Sequence, residues 1–218
     1  MKIINITGYE IFDSRGFPTI EAKITLENGQ SVRASVPSGK SCGKHEAIAL
    51  RDNEERLQGK GVKKAIHNIE TIIAPILLGK EPNIVDMDLE MIELDGTNNK
   101  SNLGANAILA ASIGIIKAQA LSLEVKEYEL IAQLCGLESI AMPYPQFNLI
   151  NGGLHAESNM PFQEILVTPI EFPSFRTAFE ATIEVNYALQ EILHSKGQIY
   201  VGEMKVDYRL ILIPPHKH

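Results

Sequence analysis

Gly104-Ala105-Asn106-Ala107-Ile108-Leu109-Ala110-Ala111-Ser112-Ile113-Gly114-Ile115-Ile116-Lys117-Ala118-Gln119-Ala120-Leu121 is the stretch that decides the architecture. It has helical composition and is apolar on nearly every side. A helix of that kind belongs in an interior. Its many Ala and Gly residues let neighbouring elements approach closely. Its least polar part, Leu103 to Ile116, is short beside the roughly 20 residues of a bilayer span. A buried core helix is expected, not a membrane anchor.

The chain before this helix supplies what it could pack on. Ile3 to Ile11, Thr19 to Leu26 and Ser31 to Val36 are rich in β-branched residues and read as strands. Asn28-Gly29 between the second and third is a hairpin signal. The pattern then turns helical, with helices expected over 44–57, 62–78, 86–93, 104–121 and 126–135. A sheet followed by helices is an α+β unit. Ala141-Met142-Pro143-Tyr144-Pro145 reads as a linker. Beyond it, Phe147 to Ile150 and Glu164 to Thr168 read as short strands and Pro173 to Lys196 as a helix. Ser174 stands near the start of that helix and Gly197 just past its end.

Composition narrows the function classes. The 20 basic and 27 acidic residues leave a net charge of −7, so no basic surplus suits nucleic acid or an anionic membrane. Cys42 and Cys135 are too few for a disulfide framework, and Met1 to Asn5 offers no apolar signal core. A cytoplasmic protein is expected, and the sequons at Asn5 and Asn99 are read as chance. At 218 residues the chain is too short for a complete (β/α)8 barrel, which takes about 250 by itself.

Two loops could carry chemistry. Residues 37–43, Pro-Ser-Gly-Lys-Ser-Cys-Gly, contain Gly-Lys-Ser, but position 34 is Ala where a phosphate-binding loop needs Gly. Asn151-Gly152-Gly153-Leu154-His155 follows directly on an expected strand, where site residues often stand. Gln163-Glu164 then opens the next apolar run. A carboxylate leading into a buried strand needs a partner or a raised pKa, which makes Glu164 a site candidate. His216-Lys217-His218 is read as a frayed tail.

Taken together, these motifs resemble the enolase family, the phosphopyruvate hydratases. The resemblance rests on Asp13-Ser14-Arg15-Gly16-Phe17-Pro18-Thr19-Ile20-Glu21, on Val36 to Gly43 with His45-Glu46-Ala47, and on Leu50-Arg51-Asp52. It continues through Gly59-Lys60-Gly61-Val62, Glu93-Leu94-Asp95-Gly96-Thr97, Asn99-Lys100-Ser101 and Gly104 to Leu109. It ends with Asn148-Leu149-Ile150-Asn151-Gly152-Gly153-Leu154-His155-Ala156 and Gln163-Glu164. It implies an N-terminal α+β domain over 1–138 and the first ββα part of an enolase-type α/β barrel over 139–202. The first two barrel strands would be antiparallel.

The resemblance also implies a reaction, the Mg²⁺-dependent reversible dehydration of 2-phosphoglycerate to phosphoenolpyruvate in glycolysis. In this superfamily a base works with Mg²⁺ on an ene-diolate. Ser41 would be the loop residue that helps hold a second magnesium. His155 and Gln163 would contact substrate, and Glu164 would both bind substrate and assist where hydroxide leaves. Glu21 would belong to a homodimer interface. Cys42 and Leu154 depart from the usual residues.

Residues 203–218 leave the family pattern. Position 204 is Met where the family's Gly-Asp-Glu-Gly-Gly motif has its general-acid Glu. The expected carboxylate ligands of the main magnesium and the catalytic lysine have no counterpart among the 218 residues. One choice of codons for 203–211, read one base earlier, encodes Gly-Asp-Glu-Gly-Gly-Leu-Ser-Pro-Asn. A truncated or frameshifted enolase is therefore expected, inactive alone and at most a partner of an intact subunit.

Overall fold

The computed structural model describes residues 1–39, 43–152 and 161–197, and the backbone of 205–207. The chain forms two units, Met1–Ser139 and Ile140–His218.

In the first unit, β1 (Ile3–Phe12), β2 (Pro18–Leu26) and β3 (Ser31–Ser35) make an antiparallel sheet in that order. The Asn28-Gly29 turn forms as expected. Gly29 takes φ +83 and donates to the Leu26 carbonyl, 2.8 Å away. In β2 the period of two turns Ile20, Ala22, Ile24 and Leu26 into the core, all fully buried. Burial of each large side chain contributes about 1.5–3 kcal/mol.

The sheet is covered by α4 (Ala105–Leu123), which packs on β2 and β3. By length and composition alone its 19 residues could cross a membrane. Its surroundings explain the composition instead: Ala107, Ala110, Ala111, Gly114, Ile115 and Ala118 are buried against the protein's own core. A Cβ on Gly114 would stand 2.8 Å from Ile24 Cδ1 and 3.1 Å from Ile24 Cγ1. Hydrogen at this position is what allows the helix to seat.

A second helical rod covers 63–77. It comprises α1 (Lys63–Asn68), a π-turn (Ile69–Ile73) and α2 (Ala74–Leu77). Pro75 explains the π-turn. In a regular α-helix its ring would press on the Thr71 carbonyl and leave it without a donor. Here the ladder widens, and the Ala74 N–H reaches back five residues to Ile69.

The corner between α3 (Ile84–Asp95) and α4 turns on one carboxylate. Asp95 is 1% exposed. It accepts from the backbone N–H of Thr97 (3.0 Å), Asn102 (3.1 Å) and Leu103 (2.7 Å), and from the Thr97 hydroxyl. Burial pushes its carboxyl up, but the bonds from Leu103, Thr97 and Asn102 prevail and hold it below the usual range. The Glu93-to-Ser101 motif is thus the wall of a folded corner.

The helix expected over 44–57 does not form. Its backbone groups bond to other segments instead. Ile48 donates to the Asn99 carbonyl and accepts from Ala105, both at 2.8 Å. Asn106 holds Leu50 on both sides, through Oδ1 at 2.9 Å and Nδ2 at 3.1 Å. Only a short turn at Arg56–Gly59 is helical, and there Leu57 and Gln58 lie in the left-handed region. The remaining helices form near their expected bounds, with α5 at Glu127–Leu134.

In the second unit, β4 (Gln146–Asn151) is the central strand. It runs antiparallel to β5 (Glu164–Val167) and to β6 (Lys205–Asp207). The antiparallel β4–β5 pair matches the expected start of an enolase-type barrel. Between β5 and β6 lies α6 (Phe175–Ser195), capped by Ser174, whose Oγ accepts from Thr177 N at 3.2 Å. The Phe179 ring meets Phe147 edge-on, with centroids 5.4 Å apart. Phe147 is fully buried there.

Two stability measurements check these contacts. Gly114→Leu should lower unfolding free energy in urea by about 3 kcal/mol through overpacking, and Gly114→Ala by less. Asp95→Asn should cost about 2–4 kcal/mol at pH 7, because its NH2 group would face either the Asn102 and Leu103 N–H groups or those of Thr97, where a carboxylate oxygen now accepts. The Asp95 carboxyl is depressed in the fold. Its contribution is therefore complete above the unfolded value of about 3.9 and is lost as pH falls through the lower folded value. The gap between wild type and Asp95→Asn should close in that acid window.

Candidate functional site

In the first unit the loop expected to carry Ser41 rises from an anchored stem. Lys40, Ser41 and Cys42 lie outside the described residues. The stem does not. Arg15 Nη2 donates to the Ser38 carbonyl at 2.6 Å, and Arg51 Nη2 to Ser38 Oγ at 3.0 Å. Arg51 Nη1 also donates to the carbonyls of Pro18 (2.7 Å) and Lys60 (2.8 Å). Arg15 is oriented by Asp13, 2.7 Å away. That guanidinium, with the Phe17 N–H, holds the Asp13 carboxyl below its ordinary range. At the far side of the loop, Glu46 Oε2 accepts from Gly43 N at 2.7 Å.

Ser38, before the loop, is therefore held by two arginines, and Gly43, after it, closes a local turn with Glu46. Beside them lies an open cleft of about 620 Å³ lined by Gly39, Gly43, Lys44, His45, Glu46 and Arg51, among others. The Glu46 carboxylate already serves Gly43, and Arg51 meets neutral oxygens in the contacts above. With Lys44 and Arg51 set against the one carboxylate of Glu46, basic side chains outnumber acidic ones in this lining, which suits an anion.

The sequence motifs contained Arg15 and Arg51 without revealing their work. Three arginine donors shared among Ser38, Pro18 and Lys60 become visible only when the chain is folded.

Glu21 stands on the sheet, opposite Tyr9 and Ser35 in register. Its carboxylate is engaged within its own chain by Arg33 and by Ser35 Oγ, the latter at 2.9 Å. These two bonds, Arg33 first, hold it below the usual carboxylate range.

In the second unit, the end of β4 and the start of β5 bring several polar groups together. Gly152 N donates to the Gln163 carbonyl at 2.7 Å, and Glu164 pairs in register with Asn151. A bulge between Asn148 and Ile150 breaks the alternation of β4. That break lets Asn148 Nδ2 reach Asn151 Oδ1, 2.5 Å away. Asn148 is buried, and its Oδ1 finds no donor among the described residues.

His155 lies outside the described residues. Glu164 is half-buried, but the strand it opens is not the buried one expected, since Ile165 is 44% exposed. The burial cost that singled out Glu164 in the sequence is correspondingly smaller. Among the described residues no three His, Cys, Asp or Glu side chains gather as a metal-binding group. They do not by themselves fit a magnesium centre.

The loop stem gives a direct test. Arg51→Ala removes three hydrogen bonds and should cost about 2–3 kcal/mol. Hydrogen exchange at Val36, whose N–H donates to the Ile20 carbonyl at the base of the loop, should accelerate with it. Arg51→Lys should recover only part of both, because an ammonium cannot span Ser38, Pro18 and Lys60 as the planar fork does.

Two family models cover most of the chain. The enolase N-terminal domain matches residues 3–131. The enolase C-terminal TIM barrel domain matches residues 139–205. The first match takes in the sheet, the anchored loop stem and the Asp95 corner, and the second the antiparallel pair that begins the barrel. On this evidence the chain belongs to the enolase family.

Proposed function

We propose that this chain serves the lyase chemistry of phosphopyruvate hydratase, the magnesium-dependent interconversion of 2-phosphoglycerate and phosphoenolpyruvate in cytoplasmic glycolysis. The observation that carries the reading is the anchored stem of the 37–43 loop beside a cationic cleft, in a chain matched by both enolase domain models. In this reading Ser41 closes over bound substrate. His155 and Gln163 contact it, and Glu164 assists at the departing hydroxide. The face around Glu21 meets a second subunit.

Mg²⁺, when bound, would neutralise the second negative charge that develops beside the substrate carboxylate. Among the described residues no group of three His, Cys, Asp or Glu side chains is placed to hold it.

The 218 residues supply the loop and substrate side of such a site. Position 204 is Met where the acid is expected. We therefore propose that these residues alone do not turn over substrate, and that turnover requires the rest of an enolase barrel.

Phosphoenolpyruvate absorbance tests both statements. The purified chain with Mg²⁺ and 2-phosphoglycerate should show no turnover above background. Adding a separately expressed remainder of an enolase barrel should restore it. Glu164→Gln should then lower the reconstituted rate by about 10²-fold or more. Magnesium-dependent turnover by the chain alone would overturn the first statement. A Glu164→Gln mixture as active as wild type would overturn the role of Glu164.

A further inference from the structure

The outer face of α3 carries an apolar stripe that the rest of the described chain leaves uncovered. Val85 is 53% exposed, Leu89 61% and Ile92 43%. They recur at i, i+4 and i+7, so they share one side of the helix. The opposite side faces inward through Met87 and Met91, both buried. On α4, Ser112 Oγ donates to Asp88 Oδ2 at 3.0 Å, which sets the two helices side by side. Leu109 is one turn before Ser112 and is 43% exposed, adding an apolar group from the second helix.

Charge around the stripe is one-signed. The α3 sequence, IVDMDLEMIELD, contains five acids and no base. Asp95 is buried in the corner, and Glu90 is paired with Lys80 at 2.6 Å. Asp86 and Glu93 are exposed and flank one side of the stripe, while Asp88 borders the other. Among the described residues none of these three is paired with a cation. Asp86 is held only by the neutral Asn83 amide, at 2.6 Å.

We propose that this face of α3 docks a basic amphipathic helix of another protein. Its apolar residues would lie along Val85, Leu89 and Ile92, and its Lys or Arg residues would meet the exposed Asp86 and Glu93; Asp88, with Oδ1 buried and Oδ2 on Ser112, stays out of reach. Helix-in-groove recognition uses the same spacing of anchors. A second copy of this chain is disfavoured as occupant. It would bring like charge against like, from a protein of net charge −7. An anionic lipid surface is disfavoured for the same reason.

The test uses the full chain and two labelled helical peptides. Each presents Leu at i, i+4 and i+7, flanked in one by Lys and in the other by Glu, and binding is read by fluorescence anisotropy. The Lys peptide should bind, more weakly as salt is raised, and the Glu peptide should not. Leu89→Ser with Ile92→Ser should weaken binding at least tenfold, with the circular dichroism spectrum of the folded chain retained because neither residue belongs to the buried core. Asp86→Lys with Glu93→Lys should reverse the preference to the Glu peptide.

Three results would overturn the proposal: no binding of the Lys peptide, binding that neither double variant alters, or a dimer of the chain that Leu89→Ser with Ile92→Ser converts to monomer. The last would name a second copy as the occupant.

Discussion

Contact between α4 and the sheet governs the N-terminal unit. The helix lies so close that position 114 has room for hydrogen and little more, with Ile24 on the other side. A close approach of this kind constrains everything nearby. The facing positions on α4 must be small, so Ala107, Ala110, Ala111 and Ala118 fill them. The β2 residues that meet them supply the bulk, through Ile20, Ile24 and Leu26. Small against large at native density leaves few ways to shift the helix. The ends of α4 then become fixed reference points. Asn106 holds Leu50 at one end, and Gln119 Oε1 accepts from Ile84 N farther along.

Reading the sequence located this core because periodicity and composition report local demands. The long apolar helix and the Asn28-Gly29 turn bond within themselves and the three strands bond to their neighbours in sequence, and each left a pattern in the residues. The segment over 44–57 shows the opposite case. Its spacing resembles a helix, but Ile48 and Leu50 give their backbone groups to Asn99, Ala105 and Asn106, about 50 residues away in sequence. No window of sequence contains those partners. Pro75 marked a break in the second rod. The π-turn that accommodates it appears only in the ladder of hydrogen bonds.

The candidate site divides along the same line. Motifs identified the family before any geometry was available, because many short matches occurred in order. They did not separate residues that meet substrate from residues that hold the scaffold. Arg15, Arg51 and Asp95 lie in the most recognisable motifs, and all three bind backbone carbonyls or N–H groups of their own chain. Glu164 was singled out from an expected buried strand. Its position opposite Asn151, next to the Gly152–Gln163 bond, is a stronger reason to consider it than burial.

The Asp95 corner also bears on the order of folding. Its hydrogen bonds close loops of two to eight residues, whereas the Asn106–Leu50 clasp spans 56. Loop-closure entropy rises with that separation, and contacts made over short separations form fastest. The corner can therefore assemble while the clasp is still open, with α3 and the start of α4 already at their native angle. A helical hairpin formed in this way presents its small-residue face to a sheet that is still free to move. The Glu93-to-Leu103 run is thus placed to close at low entropic cost as well as to brace the finished fold.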